Sequence, residues 1–201
     1  EAVFETDDRL GMAKFAGVFS QKLADVLNKD MPDLVLILGD RVEMLATAAT
    51  CLYLGVPTAQ LHGGDKTFTV DEPARHAITK LSHLHLPATK ESAERIKKMG
   101  EEKWRIHIVG APALDVILNE KLPTRAELFK KLGLNPKEKI ILVTQHAVSE
   151  EFEEAGRQME ETLSAVKFFG LPAVVIYPNT DPGGRKIIEV IEKEKKNPKF
   201  R

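Results

Sequence analysis

The stretch that decides the fold runs from residue 34 to residue 85 and reads LVLILGDRVEMLATAATCLYLGVPTAQLHGGDKTFTVDEPARHAITKLSHLH. Two short apolar runs in it, residues 34–38 and 58–61, end in glycine and ionisable residues: GDR at 39–41 and HGGD at 62–65. In open α/β sheets, ligands bind outside the carboxyl ends of the strands. The pattern therefore predicts a fold class and also the edge of the sheet that carries a site.

The rest of the chain alternates between helix and strand patterns, which is typical of a doubly wound α/β fold. The continuous apolar runs predict parallel strands that are buried on both faces. Residues 119–138 carry two prolines and many charges, so we predict a linker there and two domains, residues 1–119 and 120–201. The predicted helices are 9–27, 41–53, 71–81, 90–99, 113–118, 126–132, 150–169 and 185–195; the predicted strands are 34–38, 58–61, 83–87, 106–109, 139–144 and 173–177.

Composition narrows the classes of function. The formal net charge is −1, from 29 Lys+Arg and 30 Asp+Glu, which argues against a nucleic-acid partner. No apolar run approaches the roughly 18 residues of a membrane span, so we predict no membrane partner. Cys51 is the only cysteine, which rules out an internal disulfide. We interpret it as a small core residue, and a reducing, cytoplasmic location fits this usage.

The first candidate cluster is Gly39-Asp40-Arg41, with Glu43 close behind it. Glycine permits a tight turn, and an arginine at a helix N-terminus suits an anionic ligand such as a phosphate. Asp40 would then be well placed as an acid or base. The alternative is local: Asp40 caps the helix, and Arg41 pairs with Glu43 or with solvent.

The second cluster, His62-Gly63-Gly64-Asp65, ends the next strand. Two glycines let the backbone approach a ligand closely, and a histidine can act as an acid or base near neutral pH. A glycine turn with a satisfied histidine is the alternative. Its position at the same sheet edge as Asp40 favours a functional interpretation.

Further candidates follow along the chain. Asp71 and Arg75 are four residues apart on a predicted helix, which fits a surface ion pair or a carboxylate held by arginine beside a sugar phosphate. His146 and Asn179 follow two later predicted strands, where a nucleotide can bind.

A metal site and common cofactor sites lack their sequence patterns. His83 and His85 alternate, and His62 and His76 are near in sequence, but the spacing does not match structural zinc. No GxGxxG, GxxxxGK[ST] or GxSxG pattern occurs. We therefore predict neither a metal nor a cofactor.

Five motifs in order carry a resemblance: ILGDRVEMLA, QLHGGD, VDEPARHAITKLSHLH, VTQH and IYPNTDPGG. Together they resemble the UDP-N-acetylglucosamine 2-epimerases, in particular the hydrolysing branch that makes N-acetylmannosamine for sialic and related nonulosonic acids. The resemblance implies a glycosyltransferase-B-like α/β fold of two Rossmann-like doubly wound domains, with the active site in the cleft between them. It also implies that the chain is incomplete at both ends. Residues 1–119 would be the later part of the N-terminal domain, and residues 120–201 the linker and first part of the C-terminal domain.

The resemblance further implies a reaction on UDP-GlcNAc without a cofactor. A base removes the C2 proton, UDP leaves from C1, and water then adds to give N-acetylmannosamine. Asp40 and Asp71 match the carboxylates for proton transfer. His146 matches a catalytic histidine near the diphosphate, where it would act as an acid or stabilise charge. His62 stands where some relatives carry glutamate and others histidine. The expected substrate-binding residues are Arg41, Glu43, Gly63, Gly64, Asp65, Arg75 and Asn179.

The expected partners are UDP-GlcNAc and UDP, and the expected assembly is a homo-oligomer, either a dimer or a tetramer. Two alternatives remain open. One is a glycosyltransferase of the same architecture, which would need no acid–base pair at C2. The other is a non-catalytic module, or truncated product, that binds a UDP-sugar without turning it over.

Overall fold

The computed structural model of the protein describes residues 9–67 and 69–201. The chain divides into two compact units, one containing Met12–Glu120 and the other Lys121–Arg201. Each unit combines helices with a parallel β-sheet, as the alternating pattern predicts.

The first unit is built on a three-stranded parallel sheet in the order β1 (Val35–Leu38), β2 (Thr58–Leu61) and β3 (Leu84–Leu86). Leu38 pairs with Leu61, so β1 and β2 end side by side in register. The loops that follow them, 39–41 and 62–65, therefore leave the sheet at the same edge. The elements are α1 (Arg9–Asp30), β1 (Val35–Leu38), α2 (Val42–Leu54), β2 (Thr58–Leu61), α3 (Asp71–Leu81), β3 (Leu84–Leu86), α4 (Lys90–Lys98), a 3-10 turn (Lys103–Arg105) and α5 (Ala113–Asn119).

Local sequence signals explain how these elements begin and end. Gly55 ends α2 in the left-handed region with φ 70°, where glycine carries no steric penalty. Thr89 caps α4 by accepting a hydrogen bond from Ser92 N at 3.1 Å. Cys51 is fully buried beside Leu27 and Val56, which confirms its place in the core, and burial raises the pKa of its thiol.

The second unit has two parallel strands, paired from Ile141↔Ala173 to Thr144↔Ile176. Met159, Leu163 and Ile187 lie in its core, which joins two helices, α7 (Ala155–Phe168) and α8 (Gly184–Glu194), to the strands. The elements are α6 (Arg125–Lys131), β4 (Ile141–Thr144), a 3-10 turn (Ser149–Glu151), α7 (Ala155–Phe168), β5 (Ala173–Ile176) and α8 (Gly184–Glu194). None of the helices in the described ranges is both long and apolar enough to cross a membrane.

Three local predictions are wrong. β1 is not buried on both faces, because Ile37 is 1% exposed whereas Leu36 is 59% exposed. The predicted strand 106–109 forms only one bridge, from Ile106 to His85, directly after a 3-10 turn. The predicted helix 150–169 begins at Ala155 instead. Four glutamates fall within residues 150–154, and like charges three or four residues apart disfavour a helix.

Candidate functional site

Asp40 lies at the end of β1, and its carboxylate pairs with the guanidinium of Arg75 on α3. Gly39 makes the turn possible with φ 87°, a backbone conformation that residues other than glycine rarely adopt. Arg41, not Asp40, occupies the N-cap of α2, and it makes no side-chain capping bond. The alternative that Asp40 caps the helix is therefore wrong, and the carboxylate is committed to a tertiary contact.

Arg75 joins the two strand ends. One of its terminal nitrogens binds Asp40, and the other donates a 2.8 Å hydrogen bond to the backbone carbonyl of Asp65. It also lies 3.4 Å from Thr67 Oγ1. Arg75 is buried, and a buried guanidinium is stable only when its charge and donors are matched. It therefore fixes Asp40 and the HGGD loop, residues 62–65, relative to one another.

The HGGD loop packs tightly against α4. A Cβ added at Gly64 would lie 2.3 Å from the carbonyl oxygen of Ser92, so no larger residue fits there. Arg95 donates a hydrogen bond to the Gly64 carbonyl. His62 itself has φ 59°, which is uncommon for a residue with a side chain and occurs where the surrounding structure imposes it.

The Asp65 side chain links His62 to α4. Its Oδ1 accepts a hydrogen bond from Ser92 Oγ at 2.5 Å, and its Oδ2 lies 3.7 Å from His62 Nδ1. The two side chains are 37% and 29% exposed, so both remain within reach of a ligand. The arrangement places an imidazole and a carboxylate at the sheet edge that also carries Asp40.

Asp71 is the first residue of α3, as predicted. Its Oδ2 accepts a hydrogen bond from Thr69 Oγ1 at 3.1 Å. The neighbouring Glu72 accepts from Thr67 N at 2.8 Å and so holds the segment before the helix. Arg41 and Glu43 form the local pair anticipated as an alternative, with Nε and Oε2 3.5 Å apart.

The second unit brings its own candidate residues together. His146 follows β4 and Asn179 follows β5, and the Asn179 backbone N donates to His146 Nδ1 at 3.1 Å. The Asn179 side chain donates to Asp181 at 2.6 Å. Because Nδ1 of His146 is an acceptor, its neutral ring carries the proton on Nε2. Gly183, with φ 88°, lies too close to the Phe152 carbonyl for any side chain, and α8 begins directly after it.

Comparison with known proteins gives this arrangement a family. The sequence model described as UDP-N-acetylglucosamine 2-epimerase matches residues 2–200. The chain belongs to the UDP-N-acetylglucosamine 2-epimerase family. Its motifs resemble that family, and the resemblance is confirmed.

Two curated relatives in the epimerase family are similar to this chain over most of its length. The UDP-N,N'-diacetylbacillosamine 2-epimerase (hydrolyzing) of Legionella pneumophila is 40% identical over 190 residues, covering 94% of this chain and 50% of the relative. The UDP-N-acetylglucosamine 2-epimerase of Neisseria meningitidis is 35% identical over 175 residues, covering 87% and 45%. The chain thus spans about half the length of the curated relatives it matches.

Solved epimerase structures share the fold. The Neisseria meningitidis UDP-GlcNAc 2-epimerase, bound to UDP-GlcNAc, matches with a TM-score of 0.73 at 19% identity, covering 90% of this chain and 52% of that one. The Methanocaldococcus jannaschii enzyme, in complex with UDP-GlcNAc and UDP, matches with 0.74 at 18%, covering 94% and 54%. The glycosyltransferase-B-like α/β fold expected from the sequence is confirmed.

The histidines considered as metal ligands have protein partners in this epimerase-family chain. His83 Nδ1 accepts a hydrogen bond from Thr58 N at 3.2 Å, and His85 Nε2 lies 3.2 Å from Glu101. Across residues 9–67 and 69–201, no group of three His, Cys, Asp or Glu side chains is arranged to hold a metal ion.

Sequence reasoning did not identify three residues that support the epimerase candidate site. Ser92 and Arg95 hold the HGGD loop from α4, and Thr67 contacts both Arg75 and Glu72. They lie outside the strand ends on which the prediction concentrated. The available signal was the position of α4 in the chain. This helix follows directly after β3, and in a parallel sheet such a helix packs beside the loop of the preceding strand.

Proposed function

We propose that the full protein is a hydrolysing UDP-N-acetylglucosamine 2-epimerase, which converts UDP-GlcNAc and water to N-acetylmannosamine and UDP. One observation carries the proposal: buried Arg75 binds Asp40 and the HGGD loop together, so acid–base groups from two strands are held at one edge. Family membership supports the nucleotide-sugar substrate. The hydrolysing relative at 40% identity supports the branch.

The proposed reaction has two stages. A base takes the proton from C2 while the C1–oxygen bond to UDP breaks, which leaves a 2-acetamidoglucal. Water then supplies hydroxide to C1, and a proton is added to C2 on the opposite face of the ring. The proton released by water restores the acid that protonated C2, and the base releases its C2 proton to the departing UDP or to solvent, so the cycle consumes one water and needs no electron carrier.

Such chemistry needs two acid–base groups and positive charge or hydrogen-bond donors at the leaving diphosphate. We assign proton transfer to Asp40, Asp71 and His62. We assign UDP binding in the second unit to His146 and Asn179, whose loops are hydrogen-bonded to one another. We do not assign substrate binding to Arg75, because its guanidinium is already bound to Asp40 and to the Asp65 carbonyl. We assign it the role of holding Asp40 in place.

Incubating the full-length protein with UDP-GlcNAc in deuterated water, followed by NMR, tests the proposal. Release of UDP together with N-acetylmannosamine that carries deuterium at C2 is the expected result. UDP-N-acetylmannosamine as the deuterated product would instead indicate a non-hydrolysing epimerase. Transfer of the sugar to an acceptor without exchange at C2 would favour a glycosyltransferase.

A second substrate is favoured by a specific observation. The Legionella pneumophila relative, named for UDP-N,N'-diacetylbacillosamine, shares more identity with this chain than the Neisseria meningitidis UDP-GlcNAc enzyme does. The same NMR experiment with both nucleotide sugars ranks them by kcat/KM. The homo-oligomeric state and the cytoplasmic location remain predictions.

A further inference from the structure

The HGGD loop contains a chain of contacts from Ser92 through Asp65 to His62. The Asp65 carboxylate divides its oxygens between two partners, with Oδ1 bound to Ser92 Oγ at 2.5 Å and Oδ2 at 3.7 Å from His62 Nδ1. Ser92 is 3% exposed on α4, so the helix fixes its hydroxyl. A carboxylate held firmly on one side presents its other oxygen to the imidazole in a defined direction.

The backbone fixes the imidazole side of this contact as well. His62 is held at φ 59°, and the two glycines after it pack without space for a side chain. The carbonyls of Gly64 and Asp65 accept hydrogen bonds from two arginines, Arg95 and Arg75. The separation between His62 and Asp65 is therefore set by the fold and not by the side chains alone.

We propose that Asp65 is a positioning residue that fixes the tautomer of His62, and that Ser92 holds Asp65 in place for this role. A neutral imidazole carries its proton on one nitrogen only, and an ionised carboxylate can only accept. Asp65 therefore favours the proton on Nδ1 of His62. The lone pair of Nε2 is then free on a side chain that is 29% exposed.

This tautomer allows His62 to transfer protons through Nε2, an inference that rests on the proposed function. Nε2 can take a proton from the substrate or from water, which turns the ring into an imidazolium. The Asp65 carboxylate beside Nδ1 stabilises that positive charge until Nε2 returns the proton. Asp65, predicted as a substrate-binding residue, then acts through His62.

Nitrogen NMR of the full-length protein tests the contact independently of activity. At a pH where His62 is neutral, the wild-type ring is expected to show a protonated Nδ1 and a bare Nε2. His62→Gln identifies which of the histidine signals belong to His62. In Asp65→Asn, Ser92 donates to the remaining carbonyl oxygen and the amide NH2 faces Nδ1. That nitrogen must then accept, and the proton moves to Nε2.

Kinetics test whether the contact is used. Asp65→Asn should lower kcat by at least about tenfold, and at most by the 10²–10⁴-fold that general acid–base groups supply, and change KM much less. Ser92→Ala should mix the two tautomers and lower kcat by a smaller factor. The matched control is Ser82→Ala, another serine at 3% exposure, whose hydroxyl donates to the Ile78 carbonyl. It should change neither readout.

The outcomes separate the two proposals. An unchanged tautomer in a folded Asp65→Asn variant overturns the inference, and so does a moved proton with an unchanged kcat. A wild-type protein that turns over neither nucleotide sugar contradicts the proposed function, and it removes the catalytic use of the contact with it. The tautomer result still decides whether Asp65 sets the ring.

Discussion

Two carboxylates of the first unit, Asp40 and Glu101, both meet an arginine, yet their surroundings differ sharply. Glu101 is 2% exposed at its side chain and binds Lys80, His85 and Arg105 at once. The Asp40 side chain is 20% exposed, and its one ion-pair partner among the described residues is Arg75, which also binds the HGGD loop. A carboxylate enclosed by three bases has no oxygen left for a substrate, whereas one held from a single side remains accessible. The number of partners and the exposure thus distinguish a structural carboxylate from a candidate catalytic one.

The pKa directions support this distinction for the buried cluster of Glu101, Lys80, His85 and Arg105. Burial alone would raise the pKa of Glu101, but the hydrogen bond from Lys80 and the charges of Lys80 and Arg105 lower it. Burial lowers the pKa of His85 despite the nearby carboxylate. His85 is therefore held neutral and Glu101 ionised, an arrangement that resists proton transfer near neutral pH.

Asp40→Asn gives the largest expected effect. Turnover should fall by about 10²–10⁴-fold, because the amide cannot take a proton, while UDP still binds. Turnover and UDP affinity measured on the full-length protein decide this. The matched control is Asp33→Asn, an exposed aspartate just before β1. Near-wild-type turnover in Asp40→Asn would remove Asp40 from the proposed mechanism.

Glu101→Gln tests the opposite side of the comparison. It should lower the free energy of unfolding by about 3–5 kcal/mol, since breaking a buried pair leaves the remaining charges uncompensated. Urea denaturation measures the loss. Glu102→Gln is the control, because its side chain is 66% exposed. A loss of turnover in folded Glu101→Gln as large as that in Asp40→Asn would show that the two carboxylates do not differ as described.

His146→Ala extends the comparison to a group that is exposed and carries no buried charge. Turnover should fall by about 10²-fold, at the low end for an acid–base or charge-stabilising group, with little change in the unfolding midpoint. His107→Ala, at another exposed histidine, should leave both quantities unchanged. An unchanged rate in His146→Ala would indicate that this ring only supports the Asn179 loop.

The smallest expected effect is a pH dependence of stability. Because the pKa of His85 is lowered on folding, the unfolded chain binds this proton more readily. Stability should be complete above the usual histidine pKa of about 6.5 and decrease as the pH falls below it. The lowered pKa of Glu101 adds a second loss below the usual pKa of about 4.3. Thermal midpoints measured from pH 8 to about 2 report both steps, and His85→Gln should remove the first.

Much of the fold and the edge that carries the site follows from the sequence, for physical reasons. Apolar runs punctuated by glycine define β1 and β2, and α3 begins and ends at the predicted residues, Asp71 and Leu81. The pairing of Leu38 with Leu61 then brings the Asp40 and HGGD loops to one edge, as parallel strands require.

The remaining features depend on contacts that no local pattern contains. Arg75 lies four residues from Asp71, but it pairs with Asp40, 35 positions away. Ser92 reaches Asp65 across 27 positions. The exposure of Leu36 depends on which elements pack against its face of β1. A run of apolar residues in the sequence does not specify those elements. Side-chain partners between elements are a property of the assembled sheet, whereas strand ends are a property of the chain.

The left-handed backbone of His62 has a consequence for natural selection and for engineering. Glycine would occupy φ 59° without the steric penalty of a Cβ, so His62→Gly would relax the loop. An engineering effort that selected only for thermal stability would choose His62→Gly and lose the imidazole. His62 at φ 59° is therefore a backbone outlier that the surrounding structure imposes, and such outliers cluster at functional sites.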